Sequence, residues 1–214
     1  MVLNYIVFPR VEYNLPIFSA DIVTLPRGYL AIIDAYHVVE TEEYSNKYMR
    51  RYLDVLAKFE KELPWGGALT AETTNFLSPA VIWTRPEDEE VMKTALFSAF
   101  KEYFDIFMDA VEHAQRVTDP DEVSRLQDGQ NKYVCWRDVK DPGRPVISKL
   151  FGSAFCEEYI SNFLFRCEEG QGRKTFLEYF PQYATASGEV ASRRSMIGKA
   201  YPTRPWDRHG RWIG

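Results

Sequence analysis

The first 36 residues of this chain carry short apolar runs separated by turn residues. Residues 2–8, 17–25 and 29–36 are rich in β-branched and aromatic side chains and predict strands. Pro and Gly at residues 26–28 supply turn chemistry, so the second and third runs predict an antiparallel hairpin. Both runs are almost continuously hydrophobic, and we therefore expect a sheet covered on both faces.

After these strands, the apolar residues change to the spacing of helices. Residues 46–63 and 87–116 place apolar side chains three or four positions apart, which predicts two amphipathic helices. Between them, residues 76–85 predict a further strand, which lies at an edge or contains a bulge because it includes Pro79. Residues 120–137 and 153–166 predict two more helices, separated by a break at the sequence DPGRP.

Composition describes a globular protein with one domain or at most two. The chain has 214 residues, of which 45% are hydrophobic and 27% charged. Its net charge of −5 argues against a nucleic-acid-binding protein. Residues 168–214 nevertheless hold eight Lys and Arg against five acids. We therefore expect a domain over residues 1–167 and a peripheral basic C-terminal extension over 168–214.

Few residue types remain for chemistry. The three cysteines form no C-x-x-C motif and the three histidines have unrelated spacings, so a disulfide scaffold, a metal site and haem ligation are disfavoured. No apolar run reaches the roughly 18 residues of a membrane span. We expect no metal, no membrane and no nucleic-acid partner, and the remaining candidates for chemistry are acids and aromatic side chains.

Three aspartates are the candidate acids. Asp21 interrupts an apolar strand, where an ionised carboxylate is costly unless it is paired or protonated. Asp21 is therefore either a proton donor or a structural acid hydrogen-bonded to its neighbours. Asp34 invites the same argument, but it lies nearer a strand end and we expect it to be more exposed. Asp141 precedes a proline, and by itself this pattern favours a turn or helix cap.

Several segments in one order resemble a known family. They are LPIFSADIVTLPRGYLAIIDAY (15–36), LPWGG (63–67), FLSPAVIWTR (76–85), NKYVCWRDVKDPGRPVISKLFGS (131–153) and EYISNFLF (158–165). Together they are similar to the ferredoxin-dependent bilin reductases over residues 2–166. Within that family the chain resembles the branch that reduces 15,16-dihydrobiliverdin to phycoerythrobilin. Two alternatives stay open: phytochromobilin-type A-ring reduction of biliverdin, and a non-catalytic bilin carrier.

The resemblance implies an α+β fold, a three-layer α/β/α sandwich with a central antiparallel sheet. An open-chain tetrapyrrole would lie between the sheet and the C-terminal helices. No cofactor would be bound, because external [2Fe-2S] ferredoxin supplies single electrons directly to the bilin. Family members carry a longer N-terminal segment, so the sheet would lack its first strands and residues 2–8 would form an exposed edge.

Other partners and the location also follow from the resemblance. The upstream reductase that forms dihydrobiliverdin is a further candidate partner, and the chain would be a soluble monomer. Its compartment would be the plastid stroma, or the cytoplasm if the source is a cyanobacterium or a phage.

The resemblance also implies site residues. Asp21 and Asp141 match the positions of the family's proton-donating aspartates, and Asn4 stands where phycocyanobilin-forming relatives carry His. Candidate walls for a flat, conjugated ligand are Phe18, Val23, Trp83 and Phe151. Candidate partners for its propionates are Arg85 and either Arg144 or Lys149, and Ser78 is a candidate for a further hydrogen bond. Each wall residue is alternatively plain core, and each cation is alternatively a solvated surface charge.

An acidic ferredoxin needs a local basic surface on an acidic partner. The residues that we expect to form it are Lys132, Arg137, Lys140, Arg144 and Lys149.

Overall fold

The computed structural model describes residues 2–39, 41–42, 45–165, 174–191 and 195–214. Its contacts divide the chain into a first unit, Met1–Thr118 with Ile197–Gly214, and a second unit, Asp119–Met196. The predicted boundary after residue 167 lies outside the described residues. The described part of the predicted extension belongs to both units and is not peripheral, because Phe176, Tyr183 and Trp206 are all buried.

The strands lie in the first unit. They are β1 (Val2–Val7), β2 (Ile17–Thr24), β3 (Tyr29–Tyr36), β4 (Leu69–Thr70), β5 (Ile82–Thr84) and β6 (Ala200–Tyr201). In the described residues, β1, β2, β3 and β5 form one antiparallel sheet in that order, while β4 pairs with β6. The predicted hairpin is confirmed, and Gly28 in its turn has a φ of 87° that favours glycine.

The strand predicted over residues 76–85 is mostly wrong. Only Ile82–Thr84 joins the sheet. Pro79 has no N–H to donate to a ladder, and the backbone N–H of Ser78 is used by the Asp34 carboxylate. A helical turn at Ala71–Thr74 and a connecting loop therefore precede a short edge strand.

Helices cover one face of this sheet. They are α1 (Arg50–Phe59), which follows a π-helical turn at Ser45–Met49, and α2 (Phe97–Glu112), which follows helical turns at Glu89–Val91 and Met92–Leu96. Their apolar side chains pack with Phe18, Ala20 and Ile33 in one buried core. Asp88 begins the second helical stretch, since its carboxylate accepts the Glu90 N–H at 2.8 Å. The mixed helix and antiparallel-sheet fold is confirmed, and the third layer stays a prediction.

The second unit is helical in its described part. It contains α3 (Pro120–Lys140), α4 (Arg144–Phe151) and α5 (Ser153–Glu157), and α5 continues as a π-helical segment, Glu158–Leu164. The predicted break after α3 is present, but α4 was not predicted from the sequence. No described helix has the length and apolar character needed to cross a membrane.

Candidate functional site

Four side chains form a row across the sheet on the face opposite α1 and α2. Asn4 pairs with Asp21, Asp21 with Ile32, and Ile32 with Trp83. Paired residues of neighbouring strands point to the same face, and strands lie about 4.8 Å apart, so the row spans about 14 Å. It places an amide, a carboxyl, an aliphatic group and an indole side by side.

Exposure falls along this row from the β1 edge to β5. Asn4 is exposed, Asp21 and Ile32 are partly buried, and only 7% of the surface of Trp83 is exposed. Asp21 is held by strand pairing on both sides, so its position is rigid, and the residue is partly rather than fully buried. Such an acid is suited to transferring a proton at a fixed point on a bound molecule.

The deeply buried aspartate is Asp34, and the expectation that it is the more exposed of the two is wrong. Asp34 is only 2% exposed. Its carboxylate accepts the Ser78 Oγ hydroxyl at 2.5 Å, the Ser78 N–H at 2.9 Å and the Ala35 N–H at 2.9 Å. Burial raises the pKa of Asp34 to about 6, against the lowering effect of these hydrogen bonds.

Ser78 is therefore engaged within the protein. It is 3% exposed, donates its hydroxyl to Asp34, and accepts the Ala80 N–H at 3.1 Å. The structure does not present this hydroxyl to a ligand, and its role is to fix the loop before β5 over the end of β3.

Trp83 and Arg85 form the β5 end of the site. The Trp83 indole N–H donates to the Gly67 carbonyl at 2.9 Å, which fixes the orientation of the ring. The guanidinium of Arg85 lies over this ring at 5.1 Å from its centroid, and Arg85 is exposed. Arg85 is thus an oriented cation that is accessible to an anionic group of a ligand.

The two apolar wall candidates on β2, Val23 and Phe18, lie on opposite faces of the sheet. Val23 lies two residues from Asp21 on the same face, is partly buried, and pairs with Val2 and Leu30. Phe18 lies on the opposite face and is completely buried. Its ring stacks on Phe107 at 5.1 Å, so Phe18 is a core residue and does not join Asp21.

In the second unit, Asp141 follows the end of α3. Its carboxylate accepts the Gly143 N–H at 2.7 Å and the residue is 9% exposed. This contact closes a turn, as the Asp-Pro pattern by itself predicted. A Cβ at Gly143 would lie 2.9 Å from the Asp141 Oδ1 atom, so a larger residue there would displace the Asp141 carboxylate.

Arg144 is a structural ion-pair residue. Its guanidinium donates to the Asp138 carboxylate at 2.6 Å, to the Glu157 carboxylate at 2.5 Å and to the Asp138 carbonyl at 2.9 Å. It is 6% exposed, so its charge is already matched and enclosed. The structure therefore gives Arg144 a role in joining α3 to α5 rather than an open position for a propionate.

The last two candidates lie on α4 and its end. Lys149 is exposed, and Phe151 is 64% exposed. Phe151 begins a stripe of rings at i, i+4 spacing in which Phe155, Tyr159 and Phe163 follow, with centroids 5.3–5.8 Å apart. This aromatic stripe was not predicted, although the helical spacing of its four rings is present in the sequence.

The predicted basic surface is wrong as a set. Lys132 and Lys149 are exposed, but Lys140 is 2% exposed. Its ammonium donates to the Ser195 carbonyl at 2.6 Å and lies 3.4 Å from the Tyr183 ring centroid. Together with Arg144, Lys140 contributes to packing inside the second unit, which leaves fewer cations for docking an acidic partner.

No metal centre is formed by the described residues, since no three His, Cys, Asp or Glu side chains come together. The sheet face carries the Asp21 carboxyl, the Asn4 amide, the apolar side chains of Val23 and Trp83, and the Arg85 cation. This set suits a flat organic anion that receives a proton.

Comparison with known proteins shows the family of this chain. A family model described as ferredoxin-dependent bilin reductase matches residues 1–166. The chain therefore belongs to the ferredoxin-dependent bilin reductase family. It is similar to phytochromobilin:ferredoxin oxidoreductase of Arabidopsis thaliana, at 37% identity over all of this chain and 66% of that protein.

It is also similar to phycoerythrobilin:ferredoxin oxidoreductase of Nostoc punctiforme, at 39% identity over 78% of this chain and 66% of that protein. The chain thus spans about two thirds of the length of these relatives. A crystal structure of tomato phytochromobilin synthase in complex with biliverdin matches with a TM-score of 0.92 and 38% identity. It covers 100% of this chain and 77% of the tomato chain.

Proposed function

We propose that this chain carries out ferredoxin-dependent reduction of a linear tetrapyrrole, with Asp21 as a proton donor. The observation that carries the proposal is the row of Asn4, Asp21, Ile32 and Trp83 on one sheet face of a bilin reductase family member. Reduction of one bilin double-bond system takes up two electrons and two protons. Two reduced ferredoxins supply the electrons one at a time, and the protein supplies the protons.

Asp21 is suited to this role by its position. A bilin lying on the sheet face would remove water from the partly buried carboxyl, and desolvation favours the neutral form that can donate a proton. Each added electron makes the bilin more basic, so a positioned acid within hydrogen-bond reach then protonates it. The strand fixes which bilin atom receives the proton.

The neighbouring residues are proposed to bind the substrate. Val23 and Trp83 offer apolar walls, and the exposed Asn4 amide offers a hydrogen bond to the bilin's lactam or pyrrole groups. Arg85 is proposed to bind a propionate, since its guanidinium is exposed and held over Trp83. For the second unit, Asp141 as a second proton donor and Lys149 and Phe151 as substrate contacts stay predictions from the family resemblance.

The first candidate reaction is phytochromobilin-type A-ring reduction of biliverdin. Matches to the Arabidopsis relative and to the tomato structure with biliverdin extend over all of this chain, whereas the Nostoc relative matches 78% of it. The second candidate is reduction of 15,16-dihydrobiliverdin to phycoerythrobilin, which the 39% identity to that relative supports. The chloroplastic and cyanobacterial relatives support a plastid or a cyanobacterial cytoplasm as the compartment.

Anaerobic turnover with reduced ferredoxin tests the reaction. Biliverdin and 15,16-dihydrobiliverdin are supplied separately and the products are separated by chromatography. Conversion of biliverdin supports the first candidate, and conversion of dihydrobiliverdin alone supports the second. A bilin carrier would shift the absorption spectrum without turnover of either compound, and that result would refute the enzymatic proposal.

The Asp21→Asn variant tests the proton donor, with Asp54→Asn on the exposed side of α1 as the control. The asparagine keeps the shape of the side chain but has no acidic proton. We expect normal bilin binding, a rate lowered by about 10²- to 10⁴-fold, and a long-lived radical in electron paramagnetic resonance. Unchanged turnover in Asp21→Asn would assign proton supply to water or to another group.

A further inference from the structure

A small cavity of the first unit lies at the β5 edge of the sheet, between α1 and the chain at residues 204–208. Its volume is about 140 Å³, and Trp65, Trp83 and Trp206 contribute to an aromatic wall. All of its lining residues belong to the first unit. The volume suits a small ion or a few water molecules and is too small for a tetrapyrrole.

Two buried hydrogen-bond donors of the lining residues have no acceptor within the described part of the chain. Nη1 of Arg204 donates to the Val81 carbonyl at 3.2 Å, but Nη2 of the same guanidinium is buried without a partner among the described residues. The Nε1 atom of Trp65 is likewise buried and has no partner there. Buried donors in folded proteins are almost always satisfied, so two orphaned donors on residues that line one cavity point to an acceptor bound there.

The charged groups of the described residues act on Arg204 from beyond contact distance, and its guanidinium lies 5.8 Å from the Trp206 ring centroid. Asp207 directs its carboxylate to the N–H groups of His209 and Arg211, at 2.8 and 2.9 Å. Glu60 is exposed, and within the described part of the chain Arg204 forms no ion pair at contact distance. Burial lowers the pKa of Arg204, while Tyr103, Glu60 and Asp34 act in the opposite direction.

We propose that this cavity binds a small oxyanion, a phosphate-like ion or a carboxylate, through Arg204 Nη2 and Trp65 Nε1. An oxyanion presents several lone pairs, so one ion can accept from both donors and neutralise the guanidinium. A water molecule would satisfy the donors but would bring no negative charge into contact with the guanidinium. The proposal does not depend on the bilin reaction.

A bound oxyanion would contact two parts of the chain that are far apart in sequence. Trp65 follows α1, whereas Arg204 lies near the C-terminal end, and both belong to the first unit. An ion that binds only the folded chain stabilises it in proportion to the logarithm of its concentration. The bound oxyanion would therefore hold residues 204–208 against α1 and β5.

Calorimetric titration of the 214-residue chain with inorganic phosphate and, separately, with acetate tests the proposal, with sodium chloride at matched ionic strength as the reference. We expect saturable binding of at least one oxyanion and a shift of the Trp65 indole N–H resonance on binding. Arg204→Gln should weaken the affinity at least tenfold, because it removes a charged hydrogen-bond donor. Arg125→Gln, which removes an exposed arginine of the second unit, should leave the affinity unchanged.

Trp65→Phe is the second variant, since it keeps an aromatic wall and removes only the N–H donor. It should weaken binding severalfold and decides the question if Arg204→Gln does not fold. Saturable binding of phosphate alone identifies an inorganic oxyanion, and saturable binding of acetate identifies a carboxylate. No saturable binding of either ion, or equal affinity in the wild type and in Trp65→Phe, would overturn the proposal. So would a crystal structure from phosphate buffer with only a water between Arg204 and Trp65.

Discussion

Asp34 should make the folded chain less stable as the pH rises from 4 to 7. Burial raises the pKa of its carboxyl from the ordinary 3.8 to about 6 in the folded state. Between these values the unfolded chain has an ionised Asp34 while the folded chain keeps the proton. Unfolding therefore releases a proton, and the contribution to stability is present below pH 3.8 and is lost as the pH rises through 6.

The size of the effect follows from the difference between the two values. Each pH unit corresponds to about 1.4 kcal/mol, so Asp34 should contribute roughly 2 to 3 kcal/mol more stability at pH 4 than at pH 7. Other carboxyls also titrate in this range. The measured quantity is therefore the difference in free energy of unfolding between the wild type and Asp34→Asn, obtained by urea denaturation at each pH.

Asp34→Asn removes the titrating group. The free energy of unfolding of the wild type should therefore increase relative to that of this variant as the pH falls from 7 to 4. Asp54→Asn, which changes an exposed carboxyl on α1, should follow the wild type. The side-chain carboxyl carbon of Asp34 should also titrate near pH 6 in a nuclear magnetic resonance spectrum. A constant difference between the wild type and Asp34→Asn from pH 4 to 7 would refute the reasoning.

Three further predictions concern the two units. Arg144→Met should lower the free energy of unfolding by roughly 3 kcal/mol in urea denaturation, because it leaves the Asp138 carboxylate enclosed without its cation; a loss below 0.5 kcal/mol would contradict this role. Gly143→Ala should destabilise the turn after α3, since the new Cβ would lie 2.9 Å from Asp141 Oδ1; an unchanged melting temperature would show that the turn relaxes freely. Arg85→Gln should raise the KM for bilin with little change in kcat, and an unchanged KM in steady-state kinetics would exclude a propionate contact.

The local pattern of the chain was enough to predict most of its elements. The hairpin of β2 and β3 depends on two apolar runs and the turn at residues 26–28, all of which lie within 20 residues. The helices around residues 50–59 and 97–112 depend on apolar spacing that is equally local. The same reasoning placed Asp21 inside a strand, and alternation along β2 would also have separated it from Phe18, three positions away.

The environments of the candidate residues were decided only by the tertiary structure. Asp34 is buried because the loop carrying Ser78, 44 positions later, bonds to its carboxylate. Arg144 is enclosed because the turn after α3 brings it to Asp138 and Glu157. Arg204 reaches the Val81 carbonyl across 123 positions. A residue type states which bonds a side chain can form, but burial and partners depend on segments far apart in sequence, which no local pattern encodes.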